Sequence, residues 1–201
     1  MHKTQQLISA ILHPLTLPFL GTLLLLNIGD FGELPMSYRL YVEGIVALNM
    51  GFFPALGILL LLKGGHVSDL DVSKRTERIF PYLIVLISSL SGVYLLYRVQ
   101  MPWWILKMFI GSSLSTILAF FITLKWKISA HTMAFGCLMG SAILICIQEA
   151  INPVFILSVL FLLAGVQASS RLYLKAHTMG QVCCGFLLGA VSVATTYYLI
   201  P

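Results

Sequence analysis

Two polar stretches in the C-terminal half hold side chains of the kinds that move protons and bind anions. They are Lys127-Ile128-Ser129-Ala130-His131-Thr132 and Ser170-Arg171-Leu172-Tyr173-Leu174-Lys175-Ala176-His177-Thr178-Met179-Gly180-Gln181-Val182. An imidazole serves as nucleophile, general acid or general base near neutral pH. Guanidinium, hydroxyl and helix-terminal N–H groups hold anions. Each residue alone has a plainer reading, since a basic side chain at the end of an apolar run is usually a snorkelling anchor and a single histidine there a helix cap. Two histidine stretches with serine and arginine beside them shift the balance toward chemistry.

The elements that must position these groups are membrane helices. Hydrophobic residues make up 59% of the 201 and charged ones only 9%, with a mean hydropathy of +0.96, which excludes an ordinary soluble domain. A crossing needs about 20 largely apolar residues. Seven segments qualify: Leu7 to Asn27, Tyr41 to Leu62, Phe80 to Tyr97, Trp103 to Leu124, His131 to Glu149, Val154 to Ser170 and Gly180 to Ile200. They lack the period-two alternation of barrel strands, and open strand edges are intolerable in lipid. The expected fold is therefore all-α, a polytopic transmembrane bundle of about seven helices forming one integral membrane domain over residues 1–201. Pro14 and Pro18 interrupt the first segment, so a re-entrant first element and six crossings is the alternative. This segment is too long for a signal-peptide apolar region and no small-residue cleavage pattern follows it, so it is read as retained. Cys137, Cys146, Cys183 and Cys184 fall inside apolar runs without metal-ligand spacing and are expected to be buried free thiols.

Seven crossings place both histidine stretches on the N-terminal side of the membrane. Lys3, Lys63, Lys74, Arg75, Arg78, Lys125, Lys127, Arg171 and Lys175 fall there too, against Arg39, Arg98 and Lys107 opposite. That asymmetry predicts a cytoplasmic motif face, although phosphate binding would also gather cations there. The net charge of +5 suits anionic headgroups or an anionic substrate, so membrane lipids rather than nucleic acid are the expected partners. The polar run from Lys63 to Arg78 is the largest loop. Its His66, Asp69 and Asp71 hint at a metal, but without a second acidic cluster the hint is weak.

The residues now carry a resemblance. Ser170-Arg171, five residues, His177, three residues and Gln181 resemble the third signature of the PAP2 (type 2 phosphatidic acid phosphatase) superfamily, serine-arginine, five residues, histidine, three residues, aspartate. Ser129-Ala130-His131 resembles the second signature, proline-serine-glycine-histidine. The resemblance covers roughly residues 125–189. It implies an integral-membrane lipid phosphatase that needs no metal or cofactor, with His177 as the nucleophile that forms a phosphohistidine and His131 as general acid. Arg171 would clamp the phosphate, with Ser170, Ser129 and the Ala130 N–H as further donors at a helix N-terminus.

The departures matter as much. Gln181 replaces the family's aspartate. Four residues beyond His177 it can reach the imidazole, and its carbonyl can fix a tautomer without supplying charge. An acid from Asp69, Asp71 or Glu77 could substitute. Ala130 stands for glycine and Ile128 for proline, both milder changes. The first signature, lysine, six residues, arginine-proline, is absent as written. Its nearest relative runs from Lys74 to Pro81, which makes Lys74, Arg75 and Arg78 the candidate phosphate contacts and Lys125 and Lys127 the fallback. The implied substrates are lipid or isoprenyl phosphate monoesters or diphosphates, including phosphatidic acid, phosphatidylglycerophosphate and phosphorylated lipid A. The alternative is a non-catalytic lipid-phosphate binder or transporter that keeps the anion site. His13, beside Pro14, has no assigned role.

Overall fold

A computed structural model describes residues 2–27 and 29–201, and among these residues the regular structure is entirely helical. Among the described residues six helical runs are long and apolar enough to cross a bilayer. The first, Met36–Lys63, joins α3 (Met36–Val46), a π-helical stretch (Ala47–Phe52) and α4 (Phe53–Lys63). Then follow α5 (Ile79–Arg98), entered through a short 3-10 turn, α6 (Trp103–Thr123), α7 (Ala130–Gln148), α8 (Val154–Tyr173) and α9 (Met179–Leu199). The π stretch has a local cause. Pro54 offers no N–H to the turn before it, and the ladder loosens until the Phe53 N–H bonds back to Leu48 O.

Boundaries follow turn chemistry. Pro35, Pro102 and Pro153 stand immediately before α3, α6 and α8. At the ends of α4, α5, α7 and α8 one residue turns left-handed: Gly65, Gln100, Ala150 and Lys175, with φ of 73°, 60°, 51° and 51°. In each case the next N–H reaches the carbonyl five residues back, as Ala176 does to Arg171 O at 3.1 Å.

The first apolar segment is interrupted near its prolines, in line with the six-crossing alternative rather than with seven crossings. It forms α1 (His2–Ile11) and α2 (Leu17–Leu25), separated at His13-Pro14, and is not among the long spans. The Thr16 hydroxyl donates to the carbonyls of Ile11 at 3.2 Å and His13 at 2.7 Å, satisfying backbone groups that the break leaves open. Its ends still lie at opposite ends of the bundle. Near α1 the Ser170 hydroxyl donates to Gln5 O, whereas beyond α2 the Asp30 N–H donates to the Glu149 carboxylate.

Helices α7 and α9 form the tightest contact, built on glycine. Gly136 and Gly140 sit one turn apart on α7, as do Gly185 and Gly189 on α9. A Cβ at Gly136 would lie 2.0 Å from Phe186 O, and one at Gly189 would lie 2.1 Å from Met133 O. In lipid, where no hydrophobic drive pairs helices, such close backbone approach is how they associate. A buried cluster around Val46, Leu96, Ile105, Leu106 and Val193 fills the opposite half of the bundle. Large apolar side chains such as Ile87, Phe155 and Leu187 point outward, as a lipid-facing surface requires. Two of the four thiols expected to be buried are not. Cys137 and Cys146 are buried, but Cys183 and Cys184 are exposed, because they occupy the outer side of α9.

Candidate functional site

His177 stands in the turn between α8 and α9, and the first turn of α9 holds it. Thr178 caps that helix in a capping box: its hydroxyl accepts the Gln181 N–H while Gln181 Oε1 accepts the Thr178 N–H at 3.3 Å. The same Oε1 lies 3.0 Å from His177 Nδ1. An oxygen that already accepts from Thr178 can only accept from the imidazole as well. His177 Nδ1 therefore carries the proton, and Nε2 keeps its lone pair. Burial first, and then the Arg78 guanidinium, pull the His177 pKa down to about 3, so the ring is neutral near pH 7. Lys127 stands beside it, its Nζ donating to Ala176 O at 2.8 Å.

His131 occupies the second position of α7. Ser129 is the N-cap, its hydroxyl accepting the Thr132 N–H, and Ala130 opens the helix as expected of that signature. The beginnings of α7 and α9 are tied across the glycine contact. Ser129 N–H donates to Gln181 O at 3.4 Å, and the Thr132 hydroxyl donates to Val182 O at 2.9 Å. Both histidine stretches thus meet at one end of the bundle.

Arg171 lies within α8 rather than in the turn after it, because α8 continues to Tyr173. It is 2% exposed, and its Nη1 donates to Ser9 Oγ at 2.6 Å and to Asp71 Oδ2 at 2.8 Å. Its Nε is buried without a partner among the described residues. Ser170, next to it, is engaged with Gln5 O at 2.8 Å. The three basic candidates from the loop diverge. Lys74 is exposed and paired with Glu77, while Arg75 donates to the carbonyls of Thr123 and Leu124. Only Arg78 turns inward, its Nε bonded to Val72 O and its Nη1 to Ile128 O, both at 2.8 Å.

Three residues of the site were invisible as a group in the sequence. Ser9 Oγ is 3.4 Å from His131 Nε2, the His13 ring meets the His131 ring edge-on at 5.2 Å, and Asp71 pairs with Arg171. They come from the broken first segment and the loop after α4, more than a hundred residues from Arg171 in two cases. The usable signal was a histidine followed by proline in the middle of an apolar run.

A cavity of about 230 Å³ opens from this end into the bundle. His13, Asp71, Arg78 and His131 line its polar end, and residues such as Met108 and Ile145 line its depth. The sequence model of the PAP2 superfamily matches residues 88–201, more than half of the chain. The chain belongs to the PAP2 superfamily. The match is wider than the signature region 125–189 and takes in α6 and most of α5. None of the curated proteins and none of the solved structures matches the chain. Membership in the PAP2 superfamily, together with six helices able to span a bilayer, places it in a lipid-phosphatase type of family as a multi-pass membrane protein.

Proposed function

We propose that the chain is a phosphatase acting on a lipid or isoprenyl phosphate, monoester or diphosphate, through a phosphohistidine on His177. The observation that carries this reading is the Nδ1 contact to Gln181, which leaves Nε2 of a neutral imidazole free as nucleophile. In the first step Nε2 bonds to phosphorus, the ester P–O bond breaks, and the leaving oxygen takes a proton from His131. In the second, His131 takes a proton from water whose oxygen attacks the phosphohistidine, releasing phosphate and restoring both histidines. Arg171 and Arg78, with Ser129 and the Ala130 N–H at the start of α7, supply charge and donors for the phosphoryl oxygens. The cavity takes the apolar tail. Lys127 stands closer to His177 than the exposed Lys74 and is the better cationic partner for the attacked group.

A second reading, a lipid-phosphate binder without turnover, draws on the absence of charge at Gln181 and the engagement of Arg171 by Asp71. One experiment separates them. The purified protein is offered a panel of lipid phosphates in EDTA, and phosphate release is compared with that of His177→Ala. Release lost in the variant supports the enzyme; lipid binding without release on any substrate overturns it. The basic residues of the motif face argue for a cytoplasmic orientation. Labelling of a Ser68→Cys protein, with its native thiols replaced, by an impermeant reagent outside intact cells would reverse that assignment.

A further inference from the structure

The His131 half of the site holds more ligand chemistry than phosphoryl transfer uses. His13, Asp71 and His131 each bring one nitrogen or carboxylate oxygen to a common point, with the three atoms within 4.8 Å of one another. They arrive from three separate elements: the break between α1 and α2, the loop after α4, and the first turn of α7. Among the described residues neither imidazole has a strong partner. His13 Nδ1 has a long 3.3 Å bond from the Leu15 N–H, and His131 Nε2 has Ser9 Oγ at 3.4 Å. Buried polar groups are ordinarily satisfied better than this.

We propose that His13, Asp71 and His131 form a transition-metal site suited to Zn2+, and that its occupancy withdraws His131 from phosphoryl transfer. Two imidazoles and a carboxylate are a donor set that binds zinc while leaving a coordination position open. The three side chains also share the wall of the 230 Å³ cavity, so the open position faces space rather than packed protein. The carboxylate is already oriented. Arg171 holds Asp71 Oδ2 at 2.8 Å, the arrangement in which a ligating carboxylate is itself hydrogen-bonded. The backbone behind it is fixed too. Val72 sits at φ 46°, a conformation costly for a β-branched residue, held there by burial of its side chain and by the bond from Arg78 Nε to its carbonyl.

Arg171 and Arg78 set the limit on affinity. Arg171 is neutralised by the same carboxylate that would ligate, so a dication enters a pocket with little net negative charge. Binding is therefore reversible and within reach of a chelator. The nitrogen lone pair that coordinates the ion is the one His131 needs to give and take a proton, which makes the two uses of the ring exclusive.

The site stands apart from the phosphatase reading; only the inhibition rests on it. Co2+ and Zn2+ are titrated into the full chain in detergent, following visible Co2+ absorption and heat of binding, for wild type, His13→Ala, His13→Gln, Asp71→Asn and His177→Ala. Elution profile and melting temperature establish that each variant is folded. Expected are one ion per wild-type chain with tetrahedral Co2+ bands, affinity lowered at least ~10-fold by each change at His13 or Asp71, and unchanged affinity in His177→Ala. No stoichiometric binding by wild type, or wild-type affinity in folded His13→Gln, overturns the site. Phosphate release in EDTA should then fall as Zn2+ is added in excess, and His13→Ala should raise the half-inhibiting concentration at least ~10-fold. An unshifted inhibition curve overturns the inhibitory role. Specific metal binding with no release on any lipid sinks the phosphatase reading while leaving the metal site in place.

Discussion

The two histidines sit at the same end of the bundle but are supported in opposite ways. His177 is held by its immediate sequence: Thr178 and Gln181 cap α9 and orient the ring in one motif of four residues. His131 is surrounded by Ser9, His13 and the Asp71–Arg171 pair, groups gathered from distant parts of the chain. Local support survives wherever the helix forms. Support assembled at long range exists only when the whole bundle has closed, and the glycine contact of α7 with α9 is what joins the two kinds.

Breaking that joint should have the largest effect. Gly189→Ala places a Cβ against Met133 O, where backbone rather than a flexible side chain must yield, so a loss of ~3 kcal/mol is expected. It should appear as a lower melting temperature in detergent together with loss of any activity. A variant as stable as wild type would mean that the close approach is not what holds the two halves in register.

Gln181→Ala tests the local half alone. It removes the Nδ1 partner and one arm of the capping box, costing ~1 kcal/mol of stability. Turnover, if His177 is the nucleophile, should fall ~10²-fold through loss of the fixed tautomer. The metal affinity of the His131 half should be untouched. A fall in both would show that the halves are coupled more tightly than their contacts suggest.

Acid sharpens the contrast further. Folded His177 titrates at about 3 against an ordinary 6.5, so below 6.5 the unfolded chain binds the proton first. The stability this neutral ring contributes is full above about 6.5 and is lost as the pH falls toward 3. In His177→Gln the decline in melting temperature from about pH 7 to about pH 4 should be shallower than in wild type. Equal slopes would show that the ring is protonated freely in the folded state.

The smallest effect concerns the turn that delivers His177. Lys175 adopts φ 51°, where a side chain costs about 1 kcal/mol and glycine nothing. Lys175→Gly should raise the melting temperature slightly. A drop would assign the lysine side chain a role of its own.

This contrast also explains what could be read from the sequence. The helical class, six of the seven spans to within a few residues, and the meeting of the two signatures followed from apolar run length and motif spacing. Gln181 as an uncharged partner to His177 was legible because residues four apart share a helix face. The first segment was legible in part: Pro14 and Pro18 marked the interruption and left six crossings as the alternative, but run length measures hydrophobicity and not continuity, so the segment still counted as a crossing. The fate of the loop cations was not legible. Lys74, Arg75 and Arg78 lie within five residues of one another, yet only Arg78 is buried, a choice made by the carbonyls of Val72 and Ile128 that its guanidinium meets. Ser9, His13 and Asp71 have no spacing relation to either signature, so nothing short of the assembled bundle brings them together.

The broken N-terminal segment carries a consequence for how the protein is made. Its α1 rests on α8, whereas α2 meets α3 and the π stretch that follow it as well as α7, so of the two it is α1 that waits for its neighbour until α8 has been made. Two helices of ten and nine residues are each too short to settle in a bilayer unaided. Biogenesis must shelter α1 until α8 emerges, and Ser9 reaches His131 only after that late docking.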